Sequence, residues 1–210
     1  MIGYISQIIK SKNEDLIVKI ITNRKILTLY RFYGLRHSII NIGRKIDFDV
    51  DYGGVFMPRL RNIVQINMPW ENDYNRLYYW QQFMNLLNKH LYDVEDISNF
   101  YFDILDSYSL YLQKQAPGRV LIEMYAHILE FEGRKRISNM CYLCEKELDN
   151  ELVIIRGFIG VHKKCAIDNK NSVKCSIKKD NFIEFLKSKK STFLNNEDIL
   201  YLENILFLGL

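Results

Sequence analysis

The chain has 210 residues, of which 48% are hydrophobic and 26% charged. This length allows one core or two smaller ones, and the hydrophobic fraction excludes an intrinsically disordered chain. No run approaches the roughly 18 uncharged apolar residues that a membrane-spanning helix needs, and no leader peptide is recognisable at the N-terminus. We therefore expect a cytoplasmic protein with no membrane partner.

The net charge of +4 is unevenly distributed along the chain. Residues 1–68 carry 11 Lys or Arg against 5 Asp or Glu, residues 69–140 carry 7 against 10, and residues 141–210 carry 11 against 10. The positive charge is thus concentrated in the first third. A polyanion such as nucleic acid is the natural partner of a basic surface, although such a surface can also be merely solvated.

Five strands are predicted within the first 70 residues. In "RKIDFDVDY", charged residues alternate with an apolar set that we expect to be buried: Ile46, Phe48, Val50 and Tyr52. Four further runs are rich in Ile, Val and Tyr, namely "GYISQIIKS", "DLIVKIIT", "KILTLYRFYG" and, after a Gly53-Gly54 turn, "FMPRLRNIVQI". Five short strands fold most economically as a closed or nearly closed barrel, since closure leaves no long exposed edge.

From residue 72 the hydrophobic spacing changes to three and four residues, which predicts helices. Five are expected: one after Asn72 and Asp73, one at 97–112, one from Pro117 to Gly133, one at 181–189 after Asp180, and one at 196–207 after Asn195. Asn and Asp are good N-caps, Pro a good first residue and Gly a common stop. The expected fold class is α+β, with a barrel domain over 1–70 and a helical domain over 71–210.

All four cysteines lie in a segment at about 139–176 that is inserted among the helices. Cys141-x2-Cys144 forms one knuckle, and His162-x2-Cys165 repeats its spacing after 17 intervening residues. Two such knuckles supply four ligands for a structural, tetrahedral Zn²⁺, and a reducing cytoplasm favours metal ligation over disulfides. Cys175 is left over and could replace His162 as the fourth ligand. We therefore expect a zinc-ribbon-like insertion.

Two alternatives to a structural zinc site remain open. The cysteines could be the remnant of a metal site and now pack in a small core. A catalytic zinc needs an open coordination position and a nearby general base, and no H-E-x-x-H or H-x-E pattern accompanies these cysteines.

Cationic residues of the predicted barrel are candidates for contacts with phosphates. Arg59 and Arg61 lie two positions apart in a strand, so they project from one face and can hold successive phosphates. A solvated outer face of the barrel explains the pair equally well. Five further candidates lie in or beside the third and fourth strands: Lys25, Arg31, Arg36, Arg44 and Lys45. Tyr30, Phe32 and Tyr33 are interleaved with them, and bases stack on such rings where the barrel core does not bury them.

A metal-dependent nuclease is the competing class of function. Asp47, Asp49 and Asp51 share one strand face, as some nucleases require for divalent ions, although a solvent-facing strand explains them more simply. The chain contains no G-x4-G-K-[ST] loop for ATP hydrolysis. A generic barrel that binds RNA as well as DNA is a third possibility.

The order of barrel, helices and "EMYAHILEFEGRKRISNMCYLC" followed by "GFIGVHKKC" resembles the RecO family of bacterial recombination mediators. The chain looks like the short, divergent members of the epsilon-proteobacterial kind. The segment "RFYGLRHS", with Gly34 and Arg36, is similar to the family's link between the third and fourth barrel strands. His162 departs from the four cysteines that are usual in the family.

The resemblance implies an N-terminal OB-fold that binds single- and double-stranded DNA. It also implies a non-enzymatic, nucleoid-associated protein of recombinational repair and the DNA damage response. Such a protein anneals complementary strands in the RecFOR pathway. With its partner RecR it helps to load RecA onto strands covered by single-stranded-DNA-binding protein (SSB).

Overall fold

The computed structural model describes residues 1–53, 57–168 and 175–210. It divides into two compact units, Met1–Pro117 and Gly118–Leu210. The domain boundary near residue 70 stays a prediction. Gly54 of the predicted turn and residues 169–174 of the predicted cysteine segment lie outside the described residues. Within the described ranges, no helix is both long and apolar enough to cross a membrane.

Five strands of the first unit form a closed barrel, which confirms the predicted architecture. They are β1 (Ile2–Lys10), β2 (Leu16–Ile21), β3 (Ile26–Arg31), β4 (Lys45–Asp51) and β5 (Arg59–Ile66). Around the barrel they follow the order β1-β2-β3-β5-β4. β3 pairs with β5 in parallel, and the other four pairs are antiparallel. A five-stranded barrel of this kind is an OB-fold.

Alternation along β4 sends apolar side chains into the barrel core. Ile46 and Phe48 are buried, while their charged neighbour Asp47 faces solvent, as the sequence pattern predicts. The inclusion of Tyr52 in the buried set was wrong, because its side chain is 70% exposed. The pairing of β4 with β5 ends at Asp51, so the alternation stops one residue before Tyr52.

Gly34 lies in a tight turn directly after β3. An added Cβ would lie 2.7 Å from the side chain of Leu16, so a larger residue does not fit without displacing the core. Tyr33 has a left-handed φ of 50° and leads into the short 3-10 helix Gly34–Arg36. The segment "RFYGLRHS" is therefore the turn that leaves the third strand.

Two helices complete the first unit, α1 (Tyr74–His90) and α2 (Asn99–Tyr111). Asp73 caps α1 as predicted, since its side chain accepts a hydrogen bond from the backbone N–H of Arg76 at 3.1 Å. The cap satisfies an N–H group that the helix itself cannot pair.

Trp80 anchors α1 on the barrel. Its side chain is fully buried and meets the ring of Tyr4 edge-on at 6.1 Å between centroids. Its Nε1 donates a hydrogen bond to the carbonyl of Gly43 at 2.9 Å, so the polar atom of the indole is satisfied in the core. Gly43 has a φ of 86°, and an added Cβ would lie 2.6 Å from the indole. The turn before β4 therefore requires glycine.

The second unit combines helices with a small sheet. Its elements are α3 (Pro117–Phe131), β6 (Glu151–Ile155), β7 (Ile159–Val161), α4 (Lys163–Asp168), β8 (Ile177–Lys178), α5 (Lys179–Ser188) and α6 (Asn196–Leu206). β6 is the central strand of an antiparallel sheet in the order β7-β6-β8. Tyr125 and Phe185 pack on Phe158, with ring centroids 4.7 and 6.0 Å apart.

The helix ends of this unit follow the sequence signals with two exceptions. Pro117 begins α3, and Gly133, with a φ of 68°, follows its last turn. Asp180 was wrongly expected to precede the next helix, because it lies in the first turn of α5. α4 was not predicted at all. Its six residues are too few to show a hydrophobic period.

Asn195 caps α6 in a reciprocal capping box. Its Oδ1 accepts from the N–H of Asp198 at 2.8 Å, and its own N–H donates to Oδ2 of Asp198 at 3.1 Å. We expect Asn195→Ala to lower the free energy of unfolding by about 1 kcal/mol, because one helix N–H loses its partner. Asn195→Ser keeps an acceptor and should lose less, which urea denaturation of the two variants would measure. Equal stability of both variants would contradict a role for the cap.

Candidate nucleic-acid interface and metal centre

Three arginines meet on the outer face of the barrel. Arg59 and Arg61 project outward on either side of Leu60, which is buried in the core. Arg31 reaches the same place from β3: its Nη1 donates to the carbonyl of Leu60 at 3.0 Å, and its Nη2 lies 3.2 Å from Nε2 of His37. We call Arg31, Arg59 and Arg61 the arginine cluster.

The arginine cluster lines two depressions of the surface. The first, of about 330 Å³, also includes Phe32, Tyr33 and His37. The second, of about 250 Å³, lies between Arg31 and Arg61 and has His37, Ile39, Asn62 and Ile63 in its wall. Both therefore present guanidinium groups, and the first also presents aromatic rings.

Two exposed aromatic rings border the cluster. The side chains of Phe32 and Tyr33 are 42% and 54% exposed. The guanidinium of Arg59 lies 5.3 Å from the ring centroid of Phe32, and that of Arg36 lies 4.9 Å from that of Tyr33. These are cation–π distances, so the rings are held beside positive charge. Exposed rings beside cations are the groups on which unpaired bases stack.

The electrostatics of the cluster favour an anion. Burial lowers the pKa of Arg31, and the positive charge of Arg61 lowers this pKa further. The buried Nε of Arg31 has no hydrogen-bond partner among the described residues. Asp51 supplies the opposing charge at 3.5 Å from Arg61. The N–H of Gly53 is the main cause that lowers the pKa of this carboxyl, with contributions from Arg61 and Arg59.

Two of the other predicted cations lie beside the cluster. Arg36 pairs with Glu14 at 2.6 Å while its guanidinium covers Tyr33. Arg44 donates to the carbonyl of Ser38 at 3.0 Å and to Oε1 of Gln65 at 2.8 Å. Ser38 follows His37 in the chain, so Arg44 and Arg31 contact neighbouring residues of one loop.

The two predicted lysines are engaged elsewhere. Lys25 lies 3.7 Å from Asp96, and both side chains are largely exposed. Lys45 forms an ion pair with Asp106 of α2, and its side chain is only 14% exposed. Neither ammonium group lines the depressions of the arginine cluster. Their assignment as DNA contacts stays a prediction.

The acidic residues of β4 have separate partners. The carboxylates of Asp47, Asp49 and Asp51 accept, in order, from the amino group of Met1 at 3.0 Å, Nδ2 of Asn62 at 2.8 Å and the N–H of Gly53 at 2.9 Å. Within the described part of the chain, the group of side chains close enough to share a metal ion lies elsewhere.

That group is the predicted set of Cys141, Cys144, His162 and Cys165. Their ligand atoms all lie within 4.8 Å of one another. Tetrahedral zinc with sulfur bonds of about 2.3 Å holds its ligand atoms about 3.7 Å apart, so a small inward movement completes the site. The alternative ligand Cys175 is exposed and lies outside the cluster. The side chains that the structure brings close enough to hold one metal ion therefore include His162 and not Cys175, and three thiols with one imidazole are a donor set that suits zinc.

The first knuckle is a tight turn that aims backbone N–H groups at sulfur. The N–H of Cys141 donates to the carbonyl of Lys146 at 2.8 Å, and Glu145 closes the turn with a left-handed φ of 56°. Burial alone would raise the pKa of the Cys141 thiol. The N–H groups of His162, Leu143 and Cys144, with the Cys144 side chain, outweigh burial and lower this pKa to about 6. A thiolate, the ligand form, is thereby favoured.

His162 is oriented for metal binding by a backbone carbonyl. Its Nε2 lies 2.8 Å from the carbonyl of Glu147, which can only accept, so Nε2 carries the proton. Its Nδ1 lies 3.3 Å from Sγ of Cys144 and 3.8 Å from Sγ of Cys165. The lone pair of Nδ1 therefore points into the cluster. Because every residue has a backbone carbonyl, the sequence does not indicate which one contacts His162.

The unpredicted helix α4 explains the second knuckle. His162 immediately precedes α4 (Lys163–Asp168), and the N–H of Ala166 donates to the carbonyl of His162 at 3.0 Å. The first turn of this helix brings Cys165 back toward His162.

Comparison with known protein families identifies one match. Residues 1–71, which include the whole barrel, match the family described as "RecO N terminal". No curated protein matches the chain.

Proposed function

We propose, from the match of residues 1–71 to the RecO N-terminal family, that the chain is a non-enzymatic strand-annealing protein. We further propose that, with RecR, it helps to load RecA onto SSB-coated single-stranded DNA. The match of the barrel domain to this family supports a role in DNA repair and recombination. The divergent subtype, the nucleoid location and the three protein partners stay predictions.

The arginine cluster beside two exposed rings is the observation that carries this proposal. Phosphate oxygens of a strand can bind between Arg31 and Arg61, because both side chains line the same depression of the surface. The neighbouring bases can stack on Phe32 and Tyr33. Because paired bases do not expose their faces, the rings favour a single strand over a duplex.

Annealing requires no covalent step at this site. Two complementary strands repel each other through their phosphates, and cations that neutralise part of this charge lower the barrier to pairing. The groups in the cluster bind phosphates and bases, and duplex formation supplies the driving force. RNA binding by the same surface is the alternative, because stacking and phosphate contacts do not depend on the sugar.

We expect the full chain to accelerate duplex formation from complementary DNA strands without nucleotide or added metal. A fluorescence-quenching assay with bare and SSB-coated strands measures this, and activity on coated strands separates a mediator from a generic OB-fold. RNA strands of the same sequence provide the matched comparison. Strand cleavage in Mg²⁺ that is lost in Asp47→Asn/Asp49→Asn would instead support the nuclease alternative.

We also propose that the Cys3His cluster holds a structural Zn²⁺. All four protein ligands are present, so coordination is complete without a substrate or water. The ion would fix the knuckle of residues 141–144 to the start of α4. The second unit then depends on the metal for its local fold, and the metal takes no part in chemistry.

A further inference from the structure

Two basic segments of the second unit lie side by side. The first, residues 134–136, follows α3, and the second, residues 187–190, ends α5. The ammonium groups of Lys135 and Lys189 both bind the carboxylate of Glu130, the latter at 2.7 Å. The segments also meet at a second point, because Arg136 lines a small cavity together with residues 182, 183 and 186 of α5.

We call the cations of these two segments the basic patch: Arg134, Lys135, Arg136, Lys187, Lys189 and Lys190. Arg134, Arg136, Lys187 and Lys190 are exposed, whereas Lys135 and Lys189 are partly buried. The side chain of Tyr142 is 46% exposed, and its ring lies 4.8 Å below the guanidinium of Arg136. The basic patch thus repeats the combination of exposed cations and an exposed ring.

Neighbouring negative groups neutralise only part of the positive charge of the basic patch. Glu130 and Glu132 are the carboxylates that pair with the patch. The C-termini of α3 and α5 each add about half a negative charge. Six cations against these groups leave a surplus of about three positive charges. The exposed side chains of Arg136, Lys187 and Lys190 appear in no ion pair within the described residues.

We propose that the basic patch binds the phosphate backbone of a second nucleic-acid strand, so that one chain holds two single strands at once. The arginine cluster holds the first strand, and on this point the inference rests on the proposed function. Three exposed cations beside a stacking ring suit a short, sequence-independent contact with a flexible single strand. A protein with two such sites brings two strands together without requiring a second copy of itself.

The test counts strands bound by the full chain. The probe is an oligothymidylate of about 12 nucleotides, which suits the site sizes of small strand-binding modules and cannot anneal to itself. Titration at low salt should give two oligonucleotides per wild-type chain. R136Q/K187Q/K190Q and R59A/R61A should each give one. The control K146Q/K164Q/K178Q removes the same charge from exposed lysines elsewhere in the second unit and should still give two.

The second binding step should also depend on salt. In the wild type, three phosphate contacts give this step a logarithmic salt slope of magnitude about 2, and the patch variant should lack the step altogether. R136K/K187R/K190R retains the charge and should restore two bound strands, which separates charge from a folding defect.

Four results would overturn the inference. One oligonucleotide per wild-type chain, lost in R59A/R61A, would leave the proposed function intact but remove the second site. An unchanged count of two in R136Q/K187Q/K190Q would move the second site elsewhere. If R136Q/K187Q/K190Q lost binding to an acidic peptide but still bound two oligonucleotides, the patch would be a surface that docks a protein. Absence of any bound strand in the wild type would refute the proposed function as well.

Discussion

Cys144→Ser is expected to abolish stoichiometric zinc binding and to lower the melting temperature of the protein by about 10 °C. A hydroxyl is a poor substitute for a thiolate ligand, and Cys144 lies 3.3 Å from Nδ1 of His162 at the centre of the cluster. Structural zinc contributes about 10–16 kcal/mol to small zinc peptides, so loss of even a third of this is large for one unit. Elemental analysis and thermal denaturation of the purified variant measure both effects.

The matched control is Cys175→Ser. Cys175 is exposed and lies outside the cluster, so its replacement should change neither zinc content nor melting temperature. Substoichiometric zinc in gently purified wild-type protein would refute the metal site, and the knuckle would then be a packing remnant. Zinc loss in Cys175→Ser with retention in His162→Ala would instead reverse the choice of fourth ligand.

The sequence predicts elements whose side chains repeat with a clear period or carry a terminal signal. Alternation identifies β4, and Asp73, Pro117 and Asn195 mark the starts of three helices because capping is a local interaction. Tyr52 was misassigned because the end of a strand depends on pairing with another strand. That pairing joins residues distant in the chain, which a local pattern does not report.

The candidate sites show the same division. The shared face of Arg59 and Arg61 follows from the two-residue period of a strand, and the repeated x2 spacing predicts the four side chains that the structure brings together in the Cys3His cluster. Both signals are local. The contact of His37 with Arg31 depends on the turn at Gly34, and the pairing of Lys45 with Asp106 joins a barrel strand to α2. Such contacts arise only when the chain has folded.

Arg59→Ala/Arg61→Ala is expected to weaken binding of single-stranded DNA about tenfold at physiological salt, to a similar degree for all base sequences. Each arginine that contacts a phosphate contributes about 0.7 to the logarithmic salt slope on a single strand, so the double variant should lose about 1.4. Both side chains face solvent on either side of a buried residue, so the barrel should remain folded. Fluorescence anisotropy over a series of salt concentrations measures affinity and slope together.

Lys89→Ala/Lys114→Ala is the matched control, because it removes two exposed charges from the helical part of the same unit. If the basic character of the unit alone attracted DNA, both double variants would lose the same affinity. A specific loss in Arg59→Ala/Arg61→Ala requires instead that these guanidinium groups meet phosphates directly. An unchanged salt slope in that variant would remove the pair from the interface, and Arg31 beside Phe32 would have to bind the strand without them.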